Sequence, residues 1–274
     1  MVRYKKIALA STFSPRFVPL LAEAGRLAEK LDCDFSLIHA GAENDDSIGK
    51  FEAAFKELGL TRRPQIHWAE SGEPATAILQ IIKEKGIDLL IAGALEKEMP
   101  GRHYVGNVAR SLLRDAPCSL MLFVHPSIDP QPFHQIVVVT DFSELSKVSL
   151  EQTYFLAKHN AAQGIRIVRI FTVFTQARAQ PQDFGKADSR RAMLKAEEAH
   201  IAEFADAVGV SPVPVETACV EGTTGFAASD YVEAVSADLL VIPSKPVGTA
   251  QLLPDGMDWV FNVIPANLFI VRQK

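Results

Sequence analysis

This chain of 274 residues has few cysteines, no excess of positive charge and no long apolar run. Its three cysteines, Cys33, Cys118 and Cys219, form no CxxC pair and no Cys/His spacing typical of a zinc site. We therefore expect neither a disulfide framework nor a bound metal. The longest apolar run, LLIAGAL, is far shorter than the roughly 20 residues that cross a bilayer. We expect a cytoplasmic protein with no membrane partner.

Acidic residues outnumber basic ones by 33 to 28, which gives a net charge of −5. Proteins that bind nucleic acids nonspecifically usually carry a basic face or stripe. The sequence has no dense block of lysine and arginine. We therefore expect no nucleic-acid partner.

The chain contains an internal repeat. The segment KKIALASTFS recurs as HQIVVVTDFS, with Ile7 matching Ile136 at an offset of 129 (136 − 7). Further along, GIDLLIAG recurs as SADLLVIP, with Asp88 matching Asp238 at an offset of 150 (238 − 88). The second copy therefore holds 21 extra residues (150 − 129), and the polar stretch 176–190 is the candidate, interpreted as an exposed loop.

Two domains follow from this repeat. A length of 274 residues with 48% hydrophobic residues suits two domains of about 100–150 residues each. The segment HPSIDPQPFHQ contains three prolines and no apolar periodicity, which is typical of a linker. We predict a first domain at residues 1–126 and a second at residues 134–274.

Each copy alternates strand patterns with helix patterns. In the first copy the apolar periodicity predicts strands at 7–10, 35–40, 66–69, 88–92 and 119–124, with helices between them that include 74–85 and 107–115. Ser14 is expected to cap the first helix of the first copy, and Ser143 that of the second. The alternation predicts an α/β fold with two tandem open, mainly parallel five-stranded sheets and helices on both faces.

Ligands of such sheets bind outside the carboxyl ends of the strands, where the strand order switches. This rule makes the residues at the strand ends the candidate site: Ser11, Thr12, His39 and Gly93, with Thr140 and Asp141 in the second copy. A structural role for His39 is favoured over that of a catalytic base, because no nucleophile motif accompanies it. Asp141 is either an acid that contacts a ligand or the turn residue before a helix.

An ordered set of motifs resembles the universal stress protein family, once in each copy. The set comprises a strand–DFS–helix opening, an SG or EG pair after the third strand, and the ending GNVARSLLRDAPCSLMLF. The resemblance implies a Rossmann-like fold of the adenine nucleotide alpha hydrolase type. In many family members a Gly-x2-Gly-x9-Gly-Ser/Thr loop and an acidic residue after the first strand bind ATP or a related adenine nucleotide.

The first copy keeps the spacing of that loop and some of its glycines. Gly93 is present, Glu96 replaces the second glycine and is followed by Lys97, and the pair Gly106-Asn107 stands at the end. Glycines let backbone N–H groups approach a phosphate, and a helix that starts at the last pair favours anions. The family's acidic position is occupied by Thr12.

The second copy keeps the acid, Asp141, and loses most of the loop. Pro243 and Pro246 occupy the first two glycine positions, and Gly256-Met257 the last pair. Proline has no N–H donor. Losing two or three hydrogen bonds weakens binding by roughly one to three orders of magnitude.

These losses lead to two hypotheses. The first is a stress-response binding or signalling protein with degenerate nucleotide pockets, which is not an enzyme and has no assigned cofactor. The alternative is a sensor of ATP or another adenine nucleotide that uses the first-copy loop and hydrolyses ATP weakly.

The last strand of each copy is the candidate surface for self-association. The segments SLMLFV and NLFIVR are apolar and are expected at sheet edges, where they would invite aggregation if unpaired. We expect them to pair antiparallel within one chain, as an intramolecular pseudo-dimer. A homodimer of whole chains and an unidentified protein partner remain open.

Overall fold

The structure is a computed structural model that describes residues 4–60, 62–70, 72–99, 102–171, 187–222 and 226–273. We call the residues up to Val124 the first half and those from Gln135 the second half. The first half contains β1 (Lys6–Ser11), α1 (Phe17–Lys30), β2 (Asp34–His39), α2 (Asp45–Glu57), β3 (Gln65–Trp68), α3 (Pro74–Lys85), β4 (Leu89–Gly93), β5 (Leu95–Met99), β6 (Arg102–Val105), α4 (Asn107–Asp115) and β7 (Ser119–Phe123).

The second half repeats this alternation of strands and helices. It contains β8 (Gln135–Thr140), α5 (Glu144–Asn160), β9 (Gly164–Phe171), α6 (Ala187–Val208), β10 (Val215–Glu221), α7 (Ala227–Ala234), β11 (Leu239–Ser244), a 3-10 turn (Asp258–Phe261), β12 (Val263–Ile264) and β13 (Asn267–Arg272). None of the helices in the described ranges is long and apolar enough to span a membrane.

Ten strands form one continuous sheet in the order β10-β9-β8-β11-β13-β7-β4-β1-β2-β3. Each half contributes five parallel strands in the same relative order. The α/β class with helices on both faces is therefore as predicted. The two five-stranded sheets join into one, because the last strand of one half is hydrogen-bonded to the last strand of the other.

We call this contact between β7 and β13 the seam. It is antiparallel, with Leu120 opposite Ile270 and Leu122 opposite Leu268, around a central pair of Met121 and Phe269. All these side chains are buried. The two strands therefore lie in the interior of the sheet, where all their backbone groups can be paired.

Polar side chains close both ends of the seam in matching ways. At one end the Oγ of Ser119 accepts a hydrogen bond from the backbone N–H of Arg272 at 3.1 Å. At the other end the Oδ1 of Asn267 accepts one from the backbone N–H of Val124 at 2.9 Å. Ser119 and Asn267 hold the first position of β7 and β13 respectively, so the seam has an approximate twofold symmetry.

The side chain of Arg272 connects the second half to the end of α4. It is only 5% exposed. Its guanidinium donates to the backbone oxygens of Leu113 (2.8 Å) and Ala116, and to the Oγ of Ser244 at 3.0 Å. A cation at the end of a helix satisfies carbonyl groups that have no partner within the helix.

A second, smaller sheet also crosses between the halves. The strands β5 and β6 form an antiparallel hairpin, and β6 pairs with β12, with Tyr104 opposite Val263. This hairpin occupies the segment that we interpreted as the glycine loop of the first copy. The sequence analysis did not predict it.

Two predicted element boundaries are wrong. Helix α1 begins at Phe17, and its N-cap is Arg16 with no side-chain cap, so Ser14 does not cap it. The backbone oxygen of Ser14 instead accepts from the N–H of Phe17 at 2.9 Å, in a turn before the helix. Ser143 does cap α5 as predicted. Helix α6 starts at Ala187, so the last four residues of the predicted loop 176–190 are helical, and residues 176–186 lie outside the described residues.

We predict that Arg272→Met lowers the free energy of unfolding by about 2–4 kcal/mol, because buried carbonyl oxygens lose their donors. Urea unfolding followed by circular dichroism measures the difference. Arg114→Met, at an exposed position on the last turn of α4, is the matched control and should change stability by less than about 0.5 kcal/mol. Equal stabilities of the two variants would contradict the proposed role of the guanidinium.

Candidate functional site

A cleft of about 440 Å³ opens at the carboxyl ends of the first-half strands, between α1, α3 and α4. It lies where the strand order switches between β1 and β4, which is the usual ligand position in open α/β sheets. Much of its wall is hydrocarbon, contributed by Leu9, Leu20, Ile78, Ala92 and Leu112. A ligand in this cleft would therefore bury an apolar surface.

Five of the predicted site residues line this cleft: Ser11, Thr12, Gly93, Gly106 and Asn107. They come from three distant segments of the sequence, which end β1, end β4 and begin α4. The fold brings them together because the carboxyl ends of parallel strands meet at one edge of the sheet.

The first turn of α4 supplies backbone donors to the cleft. Its N-cap, Gly106, has an extended backbone and provides no side-chain cap. The N–H groups of a first helical turn have no partner within the helix, and the helix dipole adds a positive potential there. Asn107, Val108 and Ala109 of this turn all line the cleft.

Arg16 also lines the cleft, and the sequence analysis did not single it out. It is the only charged side chain among the described lining residues. Its Nη1 donates to the backbone oxygen of Val124 at 3.4 Å, which holds the side chain near the end of β7. Its position two residues after the expected cap Ser14, close to the end of the first strand, was the signal that could have identified it.

His39 lies behind the cleft rather than in its wall. The imidazole is 5% exposed and packs against Phe13, Phe51 and Trp68, with ring centroids 4.5, 5.3 and 5.5 Å away. Its Nδ1 is 3.3 Å from the Oγ of Ser11. Burial lowers the pKa of His39, the hydrogen bond with Ser11 opposes this shift, and Lys50 adds to it. These contacts fit the structural role and not that of an exposed base.

The predicted loop residues Glu96 and Lys97 belong to β5, and their side chains lie outside the described part of the chain. Two backbone N–H groups at the other end of this hairpin already donate hydrogen bonds within the chain. The N–H of Val105 donates to the oxygen of Asn262 at 2.9 Å, and the N–H of Gly106 to the oxygen of Ala94 at 3.1 Å. These two N–H groups are therefore not available to a phosphate.

In the second half, Asp141 organises a turn. Its Oδ1 accepts from the N–H of Ser143 (3.0 Å), from the Oγ of Ser143 (2.5 Å) and from the Oγ of Ser146 (2.6 Å). Burial raises the pKa of Asp141, but these hydrogen bonds outweigh it and hold the pKa below its usual value. Thr140, which is buried, accepts from the N–H of Phe142 at 3.0 Å. Of the two roles left open for Asp141, these contacts favour that of a turn residue.

The second half carries buried core side chains at positions that correspond to lining residues of the cleft. At the offset of 150, Ala92 corresponds to Ile242, Asn107 to Met257 and Ala109 to Trp259. Met257 and Trp259 are 1% and 8% exposed, and both belong to the apolar core together with Ile242. Larger apolar side chains thus replace small or polar ones at these three positions.

The pair Gly256-Met257 does not begin a helix of the α4 type, so this part of the site prediction needs correction. Gly256 has a φ of +76°, in the left-handed region that favours glycine. Only a four-residue 3-10 turn, Asp258–Phe261, follows it. A turn of this length has no N-terminal array of donors comparable to that of α4.

A family profile and several solved structures resemble this chain. The sequence profile of the universal stress protein family matches residues 53–124 and 132–254. A universal stress protein of Pseudomonas aeruginosa UCBPP-PA14 superposes with a TM-score of 0.72 at 14% identity, covering 98% of this chain and 93% of that chain. One from Archaeoglobus fulgidus DSM 4304 gives 0.66 at 14% identity, with complete coverage of both chains. At this identity the superpositions show the fold alone. No curated protein sequence matches significantly.

We predict that His39 makes stability fall with decreasing pH. Because the folded pKa lies below the unfolded value of about 6.5, the unfolded state binds more protons as the pH drops through that value. Urea unfolding at about pH 8 and about pH 5.5 should therefore show a smaller loss of stability in His39→Phe than in the natural chain. Part of the loss should persist, because burial also lowers the pKa of His67.

Phe55→Leu is the control, because it removes a ring that packs against Phe51 in the same cluster and removes no titrating group. It should show the same loss of stability between the two pH values as the natural chain. An equal loss in His39→Phe would rule out this origin of the pH dependence.

Proposed function

This chain belongs to the universal stress protein family, and on that premise we propose that it is a stress-response binding protein with one ligand-binding half and one structural half. The first half would bind a small molecule in its cleft. The second half, whose nucleotide pocket is degenerate, would serve as the permanent partner of the first.

This proposal rests on a difference in side-chain size between the two halves at equivalent positions. Ala92 and Ala109 leave room in the first half, whereas Ile242 and Trp259 pack into the core at the same positions of the second. Core side chains of this size exclude a ligand from the space they occupy. One open site per chain is therefore the expected stoichiometry.

We further propose that the two halves act as an intramolecular pseudo-dimer, with domain limits near 1–126 and 134–274. The antiparallel seam supports this proposal, because it joins equivalent strands around the pair of Met121 and Phe269. The seam already engages β7 and β13. A homodimer of whole chains or an unidentified protein partner would therefore have to use another surface.

Binding rather than catalysis is proposed for the cleft. Its described lining residues include no carboxylate, histidine or cysteine that could act as a nucleophile or a general base. Ser11 and Thr12 line it, but the nearest imidazole, His39, is buried among aromatic rings.

Mass spectrometry of the chain after dialysis against a metabolite extract tests this proposal. We expect one retained small molecule per chain, and its loss in Ala92→Ile, which places in the first half the residue found at Ile242. Val139→Ile, which adds one methyl group to the core of the second half, is the control and should retain the ligand. Two molecules per chain, no retained molecule, or full retention by Ala92→Ile would contradict the proposal.

A second candidate function is an ATP or other adenine-nucleotide sensor with weak hydrolysis. It is favoured by the convergence of Gly93, Gly106 and Asn107 on the cleft. In this case Gly106→Val should abolish ATP binding measured by calorimetry, because its methyl groups would cover the first turn of α4. Gly49→Val is the control, since a Cβ there meets no atom within 4 Å. Unchanged affinity in Gly106→Val would dismiss this function.

A further inference from the structure

We infer that the first-half cleft takes a small organic monoanion with an apolar body, rather than a nucleoside triphosphate. This inference rests on the proposed function, because it assumes that the cleft is the ligand site, and it adds the chemical class of the ligand. It follows from the lining of the cleft, its charge and the supply of donors at its rim.

The lining requires an apolar ligand body. Phe17, Leu20 and Leu112 contribute hydrocarbon from two helices, and Ile78 contributes it from a third. The volume of about 440 Å³ is at the lower end of the range for small-molecule pockets, about 300–1,000 Å³. A compact ligand that buries aromatic or aliphatic surface fits this wall.

The charge of the lining requires an anion of low charge. Arg16 is the single charged side chain among the described lining residues, which include no carboxylate. The first turn of α4 adds partial positive charge beside it. An anion would gain electrostatic attraction from these groups, and a neutral ligand would not.

The supply of donors limits the anion to one group. A triphosphate chain would need many donors, and the hairpin β5–β6 is the segment that would have to provide them. The hairpin is tied to the second half through the β6–β12 pairing and through the bond from Val105 N–H to Asn262. Arg110 also links its Nε to the oxygen of Phe261 (2.9 Å) and its Nη2 to that of Val105 (3.2 Å).

Wrapping this hairpin around a phosphate chain would break bonds between the halves. The donors among the described lining residues are those of the first turn of α4, at Asn107, Val108 and Ala109, the guanidinium of Arg16 and the hydroxyl groups of Ser11, Thr12 and Ser14. This set matches a single carboxylate, sulfonate or phosphodiester group.

The experiment compares two fluorescent probes on the full-length chain. Anilinonaphthalene sulfonate is an aromatic monoanion, and N-phenyl-1-naphthylamine has the same aromatic body without the sulfonate. We expect one bound sulfonate probe per chain, and affinity for the neutral probe about 10-fold or more weaker, because a hydrogen bond to a charged group is lost. Circular dichroism confirms that each variant is folded.

Three variants locate the probe. Ala92→Ile should remove binding of both probes. Arg16→Gln should weaken the sulfonate probe about 10-fold and leave the neutral probe nearly unchanged. Arg114→Gln removes the same charge from an exposed position on α4 outside the cleft, and should change neither affinity.

Displacement of the sulfonate probe then identifies the anionic group. Decanoate should displace it if the natural group is a carboxylate, and dibutyl phosphate if it is a phosphodiester, whereas ATP should compete at least about 10-fold more weakly than the better of the two. Tighter competition by ATP, or equal affinity for both fluorescent probes, would overturn the inference and leave the single binding cleft intact. Probe binding that is absent, or that survives Ala92→Ile, would contradict the binding cleft itself.

Discussion

The antiparallel pairing of β7 with β13 is the contact on which the rest of the structure depends. It converts two apolar strands that would be sheet edges into the centre of a ten-stranded sheet. It also sets the distance between the halves, so that β6 of the first half meets β12 of the second. Arg272 reaches α4 across the same contact. The pairing of the hairpin β5–β6 with the second half therefore depends on the seam.

The two halves that the seam joins differ in their side chains at the carboxyl edge of the sheet. The first half keeps Ala92 and Ala109 at the carboxyl edge of its sheet, and the cleft remains open. The second half has Ile242 and Trp259 at the corresponding positions, where both side chains belong to the buried apolar core. Only a four-residue 3-10 turn follows Gly256, where the first half has the helix α4.

Sequence reasoning could predict the elements whose signals are local. The bounds of α3 and α4 agree with the predicted 74–85 and 107–115, because Pro74 and the apolar spacing mark them. The hairpin β5–β6 was missed, since its partner β12 lies about 160 residues away in the sequence. The strand-end rule named Ser11, Thr12 and Gly93, which line one cleft, whereas Gly106 was named through the family resemblance. It could not show that His39 faces an aromatic cluster, because that depends on side-chain packing between β2 and its neighbours.

Amide hydrogen exchange of the intact chain tests most directly whether the seam unites the halves in solution. Strands Ser119–Phe123 and Asn267–Arg272 should exchange as slowly as the most protected amides of the molecule, because they open only when the whole sheet unfolds. The strands at the outer edges, Gln65–Trp68 and Val215–Glu221, should exchange faster. Seam amides that exchange as fast as those of the outer edges would contradict the account.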